Sequence, residues 1–170
     1  MPATLEDCWN SSFDTLYDAC YYELASARII KTWKRIGVIL AVCTAVTASA
    51  SAVSGWALWP NPNEKTVWGC LAAAACVLAI FNAILEIPWR ISEEVKRCQF
   101  YSALRWDLEA FRHKLTLDFD LLKAEQRLHQ LDSRLRTYIA TTPPDILLNR
   151  AARTSVQASV NMQLKKFIDG

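Results

Sequence analysis

The sequence predicts an all-α membrane protein: a two-helix transmembrane hairpin with an N-terminal amphipathic helix before it and long C-terminal cytoplasmic helices after it. Three observations lead there. Residues 36–63 contain no Asp, Glu, Lys or Arg, and residues 66–85 contain none either. Each run is long enough to cross a hydrocarbon core of ~30 Å, which takes about 20 helical residues. Five of the seven tryptophans, Trp33, Trp56, Trp59, Trp68 and Trp89, stand at the ends of these runs, where an indole keeps its ring in lipid and its N–H near water. From Trp89 to Thr142 there is neither Gly nor Pro, so that stretch reads as uninterrupted helix.

The elements follow in order. Residues 1–35 form the first helix. Thr4 and Asp7 have the spacing of a capping box, and Trp9, Phe13, Leu16, Cys20 and Leu24 recur at helical intervals on one face. The hairpin occupies 36–89, with spans at 36–59 and 66–89. Its link, Pro60-Asn61-Pro62-Asn63-Glu64-Lys65, is short and rich in turn formers, which makes the two spans antiparallel neighbours. Basic residues flank the outer ends (Arg28, Lys31, Lys34 and Arg35; Arg90, Lys96 and Arg97), whereas the link carries only Lys65. The positive-inside rule then places both termini in the cytoplasm of a multi-pass plasma (inner) membrane protein.

Residues 90–142 carry two stripes. Leu104, Leu108, Phe111 and Leu115 make the first; Leu117, Leu121, Ala124, Leu128, Leu131, Leu135 and Tyr138 make the second. The second has the period of 3.5 that a coiled-coil seam requires, so Leu117, Leu121, Ala124, Leu128, Leu131 and Leu135 are candidates for subunit association, with packing inside one subunit as the alternative. The stripes differ in phase, which puts a break at 116–120. Pro143 and Pro144 end this region, and 143–170 form the last helix, with Ile146, Leu148, Ala152, Val156, Val160 and Phe167 on it.

Several function classes are excluded. Four glycines, at Gly37, Gly55, Gly69 and Gly170, cannot write a phosphate-binding loop or a dinucleotide fingerprint. The six cysteines contain no C-x-x-C, and His113 and His129 are remote from most of them, so no metal site and no cofactor is expected. Each histidine follows a glutamate by four residues (Glu109, Glu125), a spacing that makes helix-surface pairs rather than a catalytic constellation. The basic residues of 90–170 are interleaved with acids, which suits a solvated surface and not a nucleic-acid stripe.

The chemistry-bearing candidates lie in the apolar runs. Thr44, Thr47, Ser51 and Ser54 share one helix face at spacings of three, four and three, beside a small-residue face of Ala41, Ala45, Ala48, Ala52 and Gly55. In the second run Ala72, Ala75, Ala79, Asn82 and Glu86 share a face, with Arg90 one turn beyond. Thr44, Thr47, Ser51, Ser54, Asn82 and Glu86 are therefore the candidate lining of a pore built from several copies, because one hairpin encloses no channel. The alternative is that the hydroxyl face only packs against the second helix.

The layout resembles the SLATT superfamily, the two-transmembrane effector domains found with nucleotide-sensing proteins of prokaryotic conflict systems. The likeness rests on Tyr21-Tyr22-Glu23-Leu24-Ala25, the basic stretch Arg28 to Arg35, two small-residue-rich apolar helices with a short link, and the helix beginning Trp89-Arg90. It covers roughly residues 15–115. The resemblance implies a homo-oligomeric effector in antiviral defence that contacts membrane lipid, forms a pore or disrupts the membrane, and takes a nucleotide-sensing or other defence protein as its trigger. A membrane-anchored scaffold that oligomerises and recruits a cytoplasmic partner is the competing expectation; an enzyme is disfavoured.

Overall fold

The computed structural model describes residues 4–57, 62–117, 120–141 and 150–168. Among them every element is helical: α1 (Leu5–Ala57), α2 (Pro62–Leu85), α3 (Ile87–Leu117), α4 (Leu121–Thr141) and α5 (Arg150–Ile168). The chain divides into two compact units. Unit 1 is Met1–Ile29 with Glu94–Gly170, and unit 2 is Ile30–Glu93.

Unit 1 packs helices from both ends of the sequence round one core. Thr4 caps α1 as its spacing predicts: Asp7 N donates to Thr4 Oγ1 at 3.2 Å and Thr4 N donates to Asp7 Oδ2 at 2.9 Å, the reciprocal pairing that satisfies free N-terminal amides. The buried face of α1 is Cys8, Ser12, Thr15, Leu16, Ala19 and Cys20. Trp9, Phe13 and Leu24 of the expected stripe are half-buried beside it, so the face is turned by about one residue. Ser12 and Thr15 can be interior because each hydroxyl bonds its own helix, to Trp9 O at 2.7 Å and to Ser11 O at 3.0 Å. Against this face pack Leu104, Leu108, Phe111 and Leu115 of α3, Ala124, Leu128, Leu131 and Leu135 of α4, and Val156, Val160 and Leu164 of α5. Each large aliphatic residue buried there contributes about 1.5–3 kcal/mol of apolar transfer.

Aromatic rings close one side of this core. Tyr22 stacks on Tyr101 at 5.3 Å, and Phe100 stacks on Tyr138 at 3.8 Å. Arg112 lies over the ring of Trp9 at 4.2 Å and that of Phe13 at 5.3 Å, which lets a cation border an apolar core. The break expected at 116–120 falls between Leu117 and Leu121. Asp120 caps α4 there: its backbone oxygen accepts from Ala124 N at 2.9 Å and its carboxylate pairs with Lys123 Nζ at 2.8 Å.

Unit 2 contains the rest of α1, all of α2 and the first turns of α3. Its closed end is built on Trp33 and Ile87, both buried. A Cβ on Gly37 would lie 3.3 Å from Ile87 Cγ2, so glycine permits the close approach of α1 and α3 there. Arg90 sits over Trp33 at 5.1 Å. Trp33 is thus a packed interior residue, not an interface marker.

Three expectations need correction. Among the described residues no helix is long and apolar enough to cross a membrane. The all-α membrane fold with its transmembrane hairpin is therefore not supported, nor is a multi-pass plasma-membrane protein with cytoplasmic termini, nor a pore. This holds for the described residues, which do not include 58–61 near the end of the first charge-free run. Second, Ala124, Leu128, Leu131 and Leu135 are buried in the chain's own core, and are not free to join subunits. Leu121 is half-buried, and the side chain of Leu117 lies outside the described residues. Third, α2 ends at Leu85 rather than Trp89, because a proline fits the first turn of the helix it starts better than the last turn of the one it follows.

Candidate association surface

The segments that suggested a pore build a different feature. Along α1, Val38, Ile39, Val42 and Val46 lie on one side; along α2, Val77, Ile80, Phe81 and Ile84 do the same. These eight and Trp89 are all 50–69% exposed. The opposite side of α1 (Leu40, Thr44 and Thr47) is half-buried, as are Ala75, Leu78 and Leu85 of α2. Each helix therefore shields one side and presents an aliphatic ridge on the other, with Ala41, Ala45 and Ala79 exposed between the larger side chains. An exposed run of large aliphatic side chains of this kind marks an interaction surface.

The hydroxyls make no demand on a partner. Thr44 Oγ1 donates to Leu40 O at 2.8 Å, Thr47 Oγ1 to Cys43 O at 2.8 Å, and Ser49 Oγ to Ala45 O at 2.7 Å. Such back-bonding satisfies the donors within the helix. Of the expected lining residues, Thr44 and Thr47 thus face the shielded side. Ser51, Ser54 and Asn82 have side chains outside the described residues. Glu86 is in the turn after α2, with φ 44°, and not stacked on a helix face. Arg90, one turn beyond Glu86, directs Nε to Leu85 O at 3.0 Å. The exposed valine and isoleucine ridge escaped the sequence reading because charge-free residues look alike whether lipid, protein or water is beside them.

Unit 1 carries a groove of about 330 Å³ between α1 and α4, bordered by Asp14, Asp18, Glu125, His129, Asp132 and Arg136. Loss of hydration pushes the Asp18 carboxyl above its ordinary 3.8; Asp14 and Asp132 push the same way and Arg136 opposes them. Asp7 and Asp120 lie below 3.8, held down by their hydrogen bonds to Thr4 and to Lys123 respectively. The signs are opposite. A raised carboxyl disfavours the fold while ionised, so lowering pH through the Asp18 value adds stability. A depressed carboxyl contributes above its unfolded value, so the two caps lose their contribution as pH falls below 3.8. Unfolding midpoints of unit 1 should rise on mild acidification and fall below that value. Asp18→Asn should remove Asp18's share of the rise and leave the fall; an unchanged rise would refute this assignment.

Among the described residues no group of three or more His, Cys, Asp or Glu could hold a metal ion. No protein-family model matches the chain, and no curated protein or solved structure is significantly similar to it.

Proposed function

We propose that the chain is a non-enzymatic helical scaffold that works by self-association through unit 2, with unit 1 as the folded module that receives a partner. The observation that carries this reading is the pair of aliphatic ridges on α1 and α2, each residue at least half exposed. Apolar area is stabilised when removed from water, by about 25 cal/mol per Å² before the costs of association. A second copy suits it: both ridges are free of charge, the hydroxyls of Thr44, Thr47 and Ser49 are bonded within their own helix, and alternation of small and branched residues lets helices interlock. The likeness to SLATT domains supports a nucleotide-sensing protein as the partner of unit 1.

Thiol chemistry tests it. Cys43, Cys70 and Cys76 are exposed, whereas Cys8 and Cys20 are buried, and burial holds the Cys20 thiol up at about 11, where it is unreactive. In dilute protein a maleimide should modify Cys43, Cys70 and Cys76 rapidly and spare Cys8 and Cys20. At concentrations where copies associate, Cys43 and Cys76, which lie along α1 and α2, should be slowed. Equal labelling at all concentrations, or slowing only when lipid vesicles are added, contradicts self-association.

A further inference from the structure

The junction of α2 and α3 is one residue long. Leu85 closes α2, Ile87 opens α3, and Glu86 between them has φ 44°. This is the left-handed region, which glycine enters freely and other L-residues resist. Glutamate is moreover a strong helix former. Among the described residues Glu86 is the sole non-glycine with positive φ, and it interrupts what is otherwise helix from Pro62 to Leu117.

Two residues hold the bend. Pro88 is harmless in the first turn of α3, but in a continuous helix its ring would meet the carbonyl of Ile84 and the bond to that carbonyl would be lost. Arg90 ties three elements together. Its backbone N donates to Glu86 O at 3.1 Å, its Nε donates to Leu85 O at 3.0 Å, and its guanidinium lies over Trp33 of α1 at 5.1 Å. Two features oppose the bend: the conformation of Glu86, and Trp33 Nε1, a donor buried without a hydrogen-bond partner, which is an unfavourable state.

We propose that Glu86 is a two-state hinge. In the bent state α2 folds back within unit 2, as seen here. In the straight state Glu86 takes the right-handed helical conformation, α2 and α3 become one helix, and α2 leaves the α1 of its own chain. The released helix then offers a second copy its shielded side as well as its ridge, so the hinge enlarges the self-association proposed above and rests on that reading for its partner only.

Spin labels on Cys43 of α1 and Cys76 of α2, with the other four cysteines replaced by alanine, report the state when labelled chains are diluted into excess unlabelled ones. The parent should show the short distance of the bent form. Pro88→Ala together with Arg90→Ala removes both restraints, and should shift the equilibrium toward long distances by on the order of a hundredfold. Adding Glu86→Gly to that variant should return it toward short distances about tenfold, with helix content unchanged throughout. Retention of the short distance in the double variant overturns the hinge, as does failure of Glu86→Gly to reverse the shift, or a loss of helix. If the distances respond as stated while the chain stays monomeric, the association reading fails and the hinge stands.

Discussion

Leu131→Ala should cost unit 1 about 2–5 kcal/mol of stability, measured by urea unfolding. Leu131 is fully buried, at 0% exposure, in the core shared by α1, α3, α4 and α5. Removal of its branched end leaves a cavity that four well-packed helices cannot collapse. Leu122→Ala, about two and a half turns earlier in the same helix and 67% exposed, should change stability by no more than ~0.5 kcal/mol. Leu128→Glu with Leu131→Glu goes further: two carboxylates in this core should abolish cooperative folding of unit 1 rather than lower the mass of an assembly. A folded variant of reduced mass would mean that the seam of α4 joins subunits after all.

Val42→Glu with Phe81→Glu should separate the two activities of the chain. Both residues lie on the exposed ridges, at 56% and 54% exposure, so each glutamate is tolerated in a single copy. In an interface each carboxylate would be buried without a partner, at no less than ~2 kcal/mol apiece. Together they should weaken self-association by at least about a thousandfold, while the unfolding midpoint of unit 1 stays where it was. Gel filtration with light scattering reads the first result and urea unfolding the second. Undiminished assembly of this variant would place the interface elsewhere.

Much of unit 1 is legible in the sequence because its signals are local. The capping pair Thr4 and Asp7, the leucine spacing from Ala124 to Leu135 and the break before Leu121 each depend on residues within a few turns. What covers the leucine stripe is not local. Its neighbours on α1 and α5 are remote in sequence, and an apolar stripe looks the same whether its partner is in the same chain or another. Ser12 and Thr15 were missed as core residues because a polar side chain that bonds its own helix loses the appearance of an interior residue only in the sequence, not in the fold. The boundary drawn at residue 35 marks a change of composition, yet α1 continues to Ala57, since no residue there breaks a helix. The junction at Glu86 had no turn-forming residue to announce it; Pro88 gave its neighbourhood but not its side.

The transmembrane reading failed where composition was taken for thickness. Absence of charge from 36 to 63 is necessary for a span, but among the described residues no helix is long and apolar enough to be one. The small side chains of Ala41, Ala45 and Ala79 on the exposed sides suit a protein surface, where they bring helices close.

Sedimentation equilibrium of the full chain in aqueous buffer, over a range of concentrations, gives the mass on which all of this turns. Self-association through unit 2 predicts a mass that rises with concentration to a multiple of 19.2 kDa, and that returns to the single-chain value in Val42→Glu with Phe81→Glu. A parent chain that stays at 19.2 kDa throughout that range would contradict it.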